Sequence, residues 1–173
     1  VKNIINWYKD GTSLTVLNMP FEGGSNSTYT KDYSPYGNDG TVTDATWSLT
    51  SGYDGKGAYY FGDNDWINTN YEPNIGSSDF SIGFWFKTDV DVCQVRVMFG
   101  SITETVAEDE QIQVGYHQTS CTPGQLHFVV RGTDGPNQES LCSSNIVNDN
   151  NWHYFIGTHD NDGYMEIYID GIE

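Results

Sequence analysis

The sequence predicts an all-β chain folded as a two-sheet antiparallel sandwich, and three observations carry that prediction. The first is alternation: Val95, Val97 and Phe99, then Ile112, Val114 and Tyr116, then Leu126, Phe128 and Val130 are apolar at every second position. Successive strand residues point to opposite faces, so each trio shares one face. The second is punctuation, because clusters of Gly, Asp and Asn such as Gly62-Asp63-Asn64-Asp65 and His159-Asp160-Asn161-Asp162-Gly163 recur between the apolar runs and supply turn chemistry. The third is that no segment shows apolar residues at the 3.6-residue period of a helix. At 173 residues the chain is long enough for one domain with a continuous core.

In chain order, residues 14–21 are expected to form the first strand of the sandwich, closed by Pro20. A polar Gly/Ser-rich loop follows over 22–30 and holds one N-glycosylation sequon, Asn26-Ser27-Thr28. Residues 32–40 read as a turn-rich loop and 41–49 as an irregular strand with Val42 and Trp47. Residues 58–61 and 66–69 then read as a hairpin about Gly62-Asp63-Asn64-Asp65. The run Phe80-Ser81-Ile82-Gly83-Phe84-Trp85-Phe86 is apolar at nearly every position, which predicts a strand buried on both faces. The alternating trios form a meander, with 138–142 a candidate fourth strand. Residues 152–158 and 164–169 make a closing hairpin. The expected core is Phe84, Trp85, Val97, Val114, Phe128, Ile156 and Ile167. Arg96, Gln113, Gly115, His117, His127 and Arg131 are left on the opposite face of the meander.

Composition excludes several functions. A formal charge of −17, from 24 acidic residues against 7 Lys plus Arg, repels phosphate backbones and anionic lipid, so no nucleic-acid partner is expected. No apolar run approaches the roughly 20 residues that cross a bilayer, which speaks against membrane insertion. Three Cys, 12 Tyr and 19 Gly suit an extracellular or cell-surface β-protein. The first residue is Val1 and no signal peptide is visible, so the chain is expected to be cut from a longer precursor.

A set of phrases carries a family resemblance: residues 32–40, Gly52 to Ile67 (GYDGKGAYYFGDNDWI), Trp152-His153 and Ile169-Asp170-Gly171. In this order and spacing they resemble the laminin-G-like branch of the concanavalin A-like lectin/glucanase superfamily, from about Leu14 to the end of the chain. The resemblance implies a jelly-roll sandwich over 14–173. Family members normally continue for two further strands, so the chain is expected to lack its last strands and to offer an open sheet edge for self-association. Residues 1–13, with Asn6-Trp7-Tyr8-Lys9-Asp10-Gly11, fall outside this pattern and resemble a strand and turn of an immunoglobulin-like domain. They read either as the stub of a preceding domain or as an extra edge strand.

A glycosidase needs two carboxyl groups about 5–10 Å apart across a cleft. Asp89/Asp91 and Glu108/Glu110 have that spacing but fall in connections, and Glu166 and Asp170 share a face about 13 Å apart. No nucleophile triad or zinc spacing is present, so the chain is not expected to be an enzyme. Asp32, Asn38 and Asp39 offer several oxygens in one loop, and Asp63, Asn64 and Asp65 in another. Relatives bind calcium in such rim loops, so Ca2+ at Asp32, Asn38 and Asp39 is an expectation. Gln113, His117, His127 and Arg131 could read sugar hydroxyls or carboxylates, with Tyr36 and Trp66 as stacking platforms. With a meander turn near Thr105, Cys93 should approach Cys121, which predicts a Cys93–Cys121 disulfide and an unpaired Cys142. The reading of function is a non-catalytic, lectin-like module of a larger secreted or cell-surface protein, with a polysaccharide as ligand. The alternatives are a structural or adhesive spacer that binds protein or nothing, and, as a weaker reading, a glycan-degrading enzyme.

Overall fold

A computed structural model describes residues 5–73, 79–89, 96–101, 111–116, 121–131, 138–160 and 162–173, and every regular element among them is a β-strand. The fold is the antiparallel, all-β sandwich class expected. The chain divides into two compact units, Val1–Tyr71 and Glu72–Glu173. Among the described residues no helix is long and apolar enough to cross a membrane.

Among its described residues the first unit holds seven short strands: β1 (Tyr8–Lys9), β2 (Thr12–Ser13), β3 (Tyr29–Thr30), β4 (Gly40–Thr43), β5 (Thr46–Ser48), β6 (Ala58–Tyr60) and β7 (Trp66–Asn68). The strand expected over 14–21 is not formed. Ser13 Oγ instead donates to Thr15 O and accepts from Thr15 N, an alternative hydrogen-bonding scheme that competes with a ladder. β6 and β7 exist where expected but do not pair with each other. β6 pairs with β5 (Trp47↔Tyr59), and β7 pairs with β4 (Val42↔Ile67). Asp44, at φ 58, breaks the β4–β5 strand at the level where residues 62–65 break the β6–β7 strand. Gly62-Asp63-Asn64-Asp65 is therefore a kink in one arm of a longer hairpin. The reversal itself lies between β5 and β6, where Gly52 N donates to Lys56 O.

The second unit contains β8 (Phe80–Lys87), β9 (Arg96–Gly100), β10 (Gln111–Tyr116), β11 (His127–Arg131), β12 (Gln138–Cys142), β13 (Trp152–His159) and β14 (Met165–Ile169). They form two antiparallel sheets, β12-β11-β10-β9 and β14-β13-β8. Both sheets contribute to one apolar cluster: Ile112, Val114, Phe128 and Val130 from the first, and Phe86, Phe155, Ile167 and Ile169 from the second. Phe128 meets Phe155 edge-on with ring centroids 6.0 Å apart.

Three residues expected in the core are outside it. β8 alternates: Phe80, Ile82, Phe84 and Phe86 turn inward, while Ser81, Gly83, Trp85 and Lys87 are exposed, Trp85 at 43%. β8 therefore has one buried face rather than two. On β9 the ladder slips between Val114 and Gly115, so that Val114 faces Phe99 and Gly115 faces Val97, leaving Met98 as the extra residue. This bulge moves Val97 to the opposite side from Phe99, where it is 42% exposed. Ile156, next to the inward-facing Phe155 on β13, is half-buried on the outward face opposite Gly83 and Tyr168, whereas Val114, Phe128 and Ile167 are buried and Phe84 is half-buried against the core.

The disulfide expectation is corrected as well. Cys121 is bonded to Cys142, with Cα atoms 5.6 Å apart. A turn in which Gln125 N donates to Thr122 O folds Cys121 back to the start of β11, and β12 places Cys142 opposite His127 at that same end. Cys93 lies outside the described residues.

Candidate functional site

The outward face of β14-β13-β8 is built by strand period alone. The register pairs Trp85 with Tyr154, Gly83 with Ile156, Ser81 with Thr158 and Lys87 with Trp152. Across the other edge of β13, Ile156 faces Tyr168 and Thr158 faces Glu166. Phe155, Ile167 and Ile169 are buried between these positions, which fixes Trp85, Trp152, Tyr154 and Tyr168 on the side away from the core. The Trp85 and Tyr154 rings lie 5.0 Å apart, tilted by 43°. Gly83 gives Tyr154 its place: a Cβ there would stand 2.8 Å from the Tyr154 hydroxyl.

Of these rings Trp85 is exposed and Trp152, Tyr154 and Tyr168 are half-buried; a lone exposed ring is ordinary, but one set among other rings at mid-strand is informative. Around them stand groups that hydrogen-bond: the Ser81 hydroxyl, the Lys87 ammonium, and the Thr158–Glu166 pair at 3.4 Å. The Glu166 carboxylate beside Tyr168 holds the phenol above its ordinary value. Ring faces beside a few polar groups are the surface that binds the apolar side of a sugar while orienting its hydroxyls.

The sequence-predicted residues fall elsewhere. Gln113, His127 and Arg131 do share one face, with Gly115 opposite His127 and Gln111 opposite Arg131. At its centre, however, that face is closed: His127 is 4% exposed and Val129, which lies opposite Gln113, 2%. Gly115 answers to the bulge and not to a ligand, since a Cβ there would stand 1.9 Å from the Arg96 carbonyl oxygen. His117 lies outside the described residues, as do Asp91 and residues 108–110. Tyr36 is exposed in the turn after Ser34, and Trp66 is exposed on β7 opposite Thr43.

The proposed calcium loop is closed by its own donors. Asp32 is buried; its Oδ1 accepts from Asn18 N (2.9 Å) and Ser34 N (2.8 Å), and its Oδ2 from Ser34 Oγ (2.5 Å) and Asn38 N (2.9 Å). Four donors occupy the roughly four lone-pair sites of a carboxylate. Burial pushes the Asp32 carboxyl up, but these hydrogen bonds outweigh it and leave the group below its ordinary value. Asp39 accepts from Asp32 N and from Tyr29 Oη, while Asn38 Nδ2 donates to Val16 O. These oxygens therefore organise the backbone. Among the described residues no group of three or more His, Cys, Asp or Glu is placed to hold a metal ion.

A second polar cluster lies at the start of β13. His153 is held between Asp170 (Nδ1 to Oδ2, 2.7 Å) and Asp149 (Nε2 to Oδ1, 3.0 Å), and Asp170 Oδ1 accepts from Tyr154 N. Burial lowers the His153 pKa, but the two carboxylates more than reverse that and leave it raised. Hydrogen bonds from Asn151 and His153 draw Asp149 down to about 2. This cluster ties the β12–β13 loop and the turn after β14 to the sheet.

Two antiparallel sheets that share one apolar cluster define the class of antiparallel β-sandwiches. A laminin-G family model described as the concanavalin A-like lectin/glucanase superfamily matches residues 61–173, and the chain belongs to that superfamily. The superfamily includes carbohydrate-binding and protein-binding domains. No curated protein and no solved structure matches the chain.

The aromatic face escaped the sequence reading because Trp85 was counted with the core. The signal that could have found it is the odd-numbered set of β8. Ser81, Gly83, Trp85 and Lys87 mix polar, small and charged residues, unlike the even-numbered set Phe80, Ile82, Phe84 and Phe86.

Proposed function

We propose that the chain is a non-catalytic carbohydrate-binding module of a larger secreted or cell-surface protein, binding polysaccharide on the outward face of β14-β13-β8. The observation that carries this reading is the exposed Trp85 ring set against Tyr154 at mid-strand, where a residue serving only solubility would be polar. Membership of a superfamily with carbohydrate-binding members supports it. The non-catalytic part rests on the carboxylates. Glu166 stands on this face already engaged by Tyr168 and Thr158, and Asp170 is taken by His153 and Tyr154 N, so they do not form a free pair across a cleft.

The test is a pull-down on a panel of insoluble polysaccharides, followed by titration of whichever the parent binds. Trp85→Ala should weaken that binding about tenfold or more, about 1.4 kcal/mol, without lowering the melting temperature, because the ring is not part of the core. Undiminished binding by Trp85→Ala and Tyr154→Ala, with loss on Arg131→Ala instead, would move the ligand to the β9–β12 sheet. A parent that binds nothing on the panel favours the spacer reading.

A further inference from the structure

We propose that Asn26 is an N-glycan acceptor, presented by the loop between Phe21 and β3 in the first unit. The sequence supplies Asn26-Ser27-Thr28, an acceptor sequon. The fold supplies an orientation. The Asn26 side-chain oxygen accepts from Thr28 N (2.8 Å), Thr28 Oγ1 (2.9 Å) and Tyr29 N (3.1 Å), and Asn26 N donates to Tyr29 O (2.8 Å). Three donors on one atom fix which end of the amide is oxygen. In a planar carboxamide the nitrogen then points away from the loop's own donors, and among the described residues Nδ2 has no acceptor. Asn26, Ser27 and Thr28 are all exposed.

The surroundings leave room for a sugar. Ser27 and Thr28 form one wall of an open groove of about 500 Å³ whose other walls include Thr43, Asp44, Thr46 and Trp47. A saccharide attached at Asn26 would have beside it the hydroxyls of Ser27, Thr28, Thr43 and Thr46, the Asp44 carboxylate and the Trp47 indole, with the buried Val42 and Ala45 completing the lining. The co-reactant is a lipid-linked oligosaccharide pyrophosphate, used by a glycosyltransferase. Asn26 Nδ2 forms a bond to the anomeric carbon while the bond from that carbon to the phosphate oxygen breaks. The electron pair leaves with the lipid pyrophosphate, and one amide proton passes to a base of the transferase. The inference rests on the secreted or cell-surface reading only in that the chain must meet such a transferase. It shares no residue with the aromatic face, so transfer, read by mass, and polysaccharide binding, read by pull-down, can fail separately.

The experiment is secretion of the chain from a glycosylating eukaryotic cell, with intact mass measured before and after peptide N-glycosidase. The parent should carry added glycan mass that the glycosidase removes. Asn26→Asp keeps the oxygen that the three donors need and removes the nitrogen, so it should fold with an unchanged melting temperature and carry no glycan. Thr28→Ser should retain the added mass and Thr28→Ala should lose it. A folded, secreted parent of unmodified mass overturns the proposal, and so does glycan mass that persists in Asn26→Asp.

Discussion

Among the described residues of the Glu72–Glu173 unit the side chains most completely removed from water are Leu126, Phe128, Val114, Val147, Phe155 and Ile169, with Ser143 the one polar member of that set. In the Val1–Tyr71 unit the buried side chains among the described residues are Ser13, Ser25, Thr30, Asp32 and Ser34, with Val42 and Ala45 the apolar ones. One unit is held by volume and the other by direction. An apolar core loses stability in proportion to the atoms removed, since dispersion and hydrophobic terms are summed over many contacts. A polar core depends on particular donor–acceptor pairs, so that removing one acceptor strands several buried donors. The contrast predicts a graded response to truncation in the second unit and a steep response to single-atom changes in the first.

The largest effect is expected at Phe155. It is fully buried, packs tilted against Phe84 at 5.2 Å and meets Phe128 edge-on at 6.0 Å, so it joins the two sheets. Phe155→Ala should cost about 3–5 kcal/mol, with Phe155→Leu recovering much of it. Denaturant midpoints measure this. A loss in Phe155→Leu as large as in Phe155→Ala would break the idea that volume governs this unit.

Asp32 comes next. Asp32→Ala leaves Asn18 N, Ser34 N, Ser34 Oγ and Asn38 N without their acceptor and should cost about 3 kcal/mol. Asp32→Asn changes little more than one atom, yet it sets an amide N–H against two of those donors and should cost a large part of the same amount. Because the folded Asp32 pKa lies below its ordinary 3.8, its contribution is present above that pH and is lost as pH falls through the folded value. Hydrogen-exchange protection factors at Asn18, Ser34 and Asn38, which correct for the intrinsic slowing of exchange in acid, should therefore fall together as pH drops through that value. Chelator should leave the melting temperature unchanged, and a fall on chelation would return Asp32, Asn38 and Asp39 to the role of calcium ligands.

The same contrast explains what the sequence disclosed. The meander and the closing hairpin were legible because period-two alternation with a buried apolar face fixes both strand and register, as at Ile112, Val114 and Tyr116. The first unit was less legible because its pairing turns on backbone events that hydrophobicity does not encode. The left-handed Asp44 diverts β4–β5, and the Ser13 hydroxyl replaces a strand with a turn. The β9 bulge is the same kind of event inside the well-patterned unit, and it displaced Val97 and explained Gly115. Asp32, read as a cation ligand from composition, has its oxygens filled by N–H and O–H groups from residues up to 14 positions away. No local pattern displays that.

The smallest expected effect tests whether a directional polar lock also operates in the volume-held unit. His153 packs against Phe86 at 5.7 Å and is bridged by Asp149 and Asp170. Its folded pKa is raised above the ordinary 6.5, so the imidazolium's contribution to stability is fully present below that value and is lost as pH rises through the folded pKa. Asp149, drawn to about 2, and Asp170, also lowered, work in the opposite direction. Their contributions are present above the unfolded value of 3.8 and are lost as pH falls through the folded values. The bridge is therefore complete between about pH 4 and 6.5 and weakens on either side. Both carboxylates are well exposed, at 47% and 43% for their side chains, so solvent screens the pair and the change should be small beside that of Phe155. Melting temperature followed from pH 5.5 to 8.5 should fall slightly in the parent, and the fall should be absent in His153→Gln, which keeps hydrogen-bonding capacity without the charge. An equal fall in both proteins would assign the pH dependence to other groups and leave packing alone to hold the second unit.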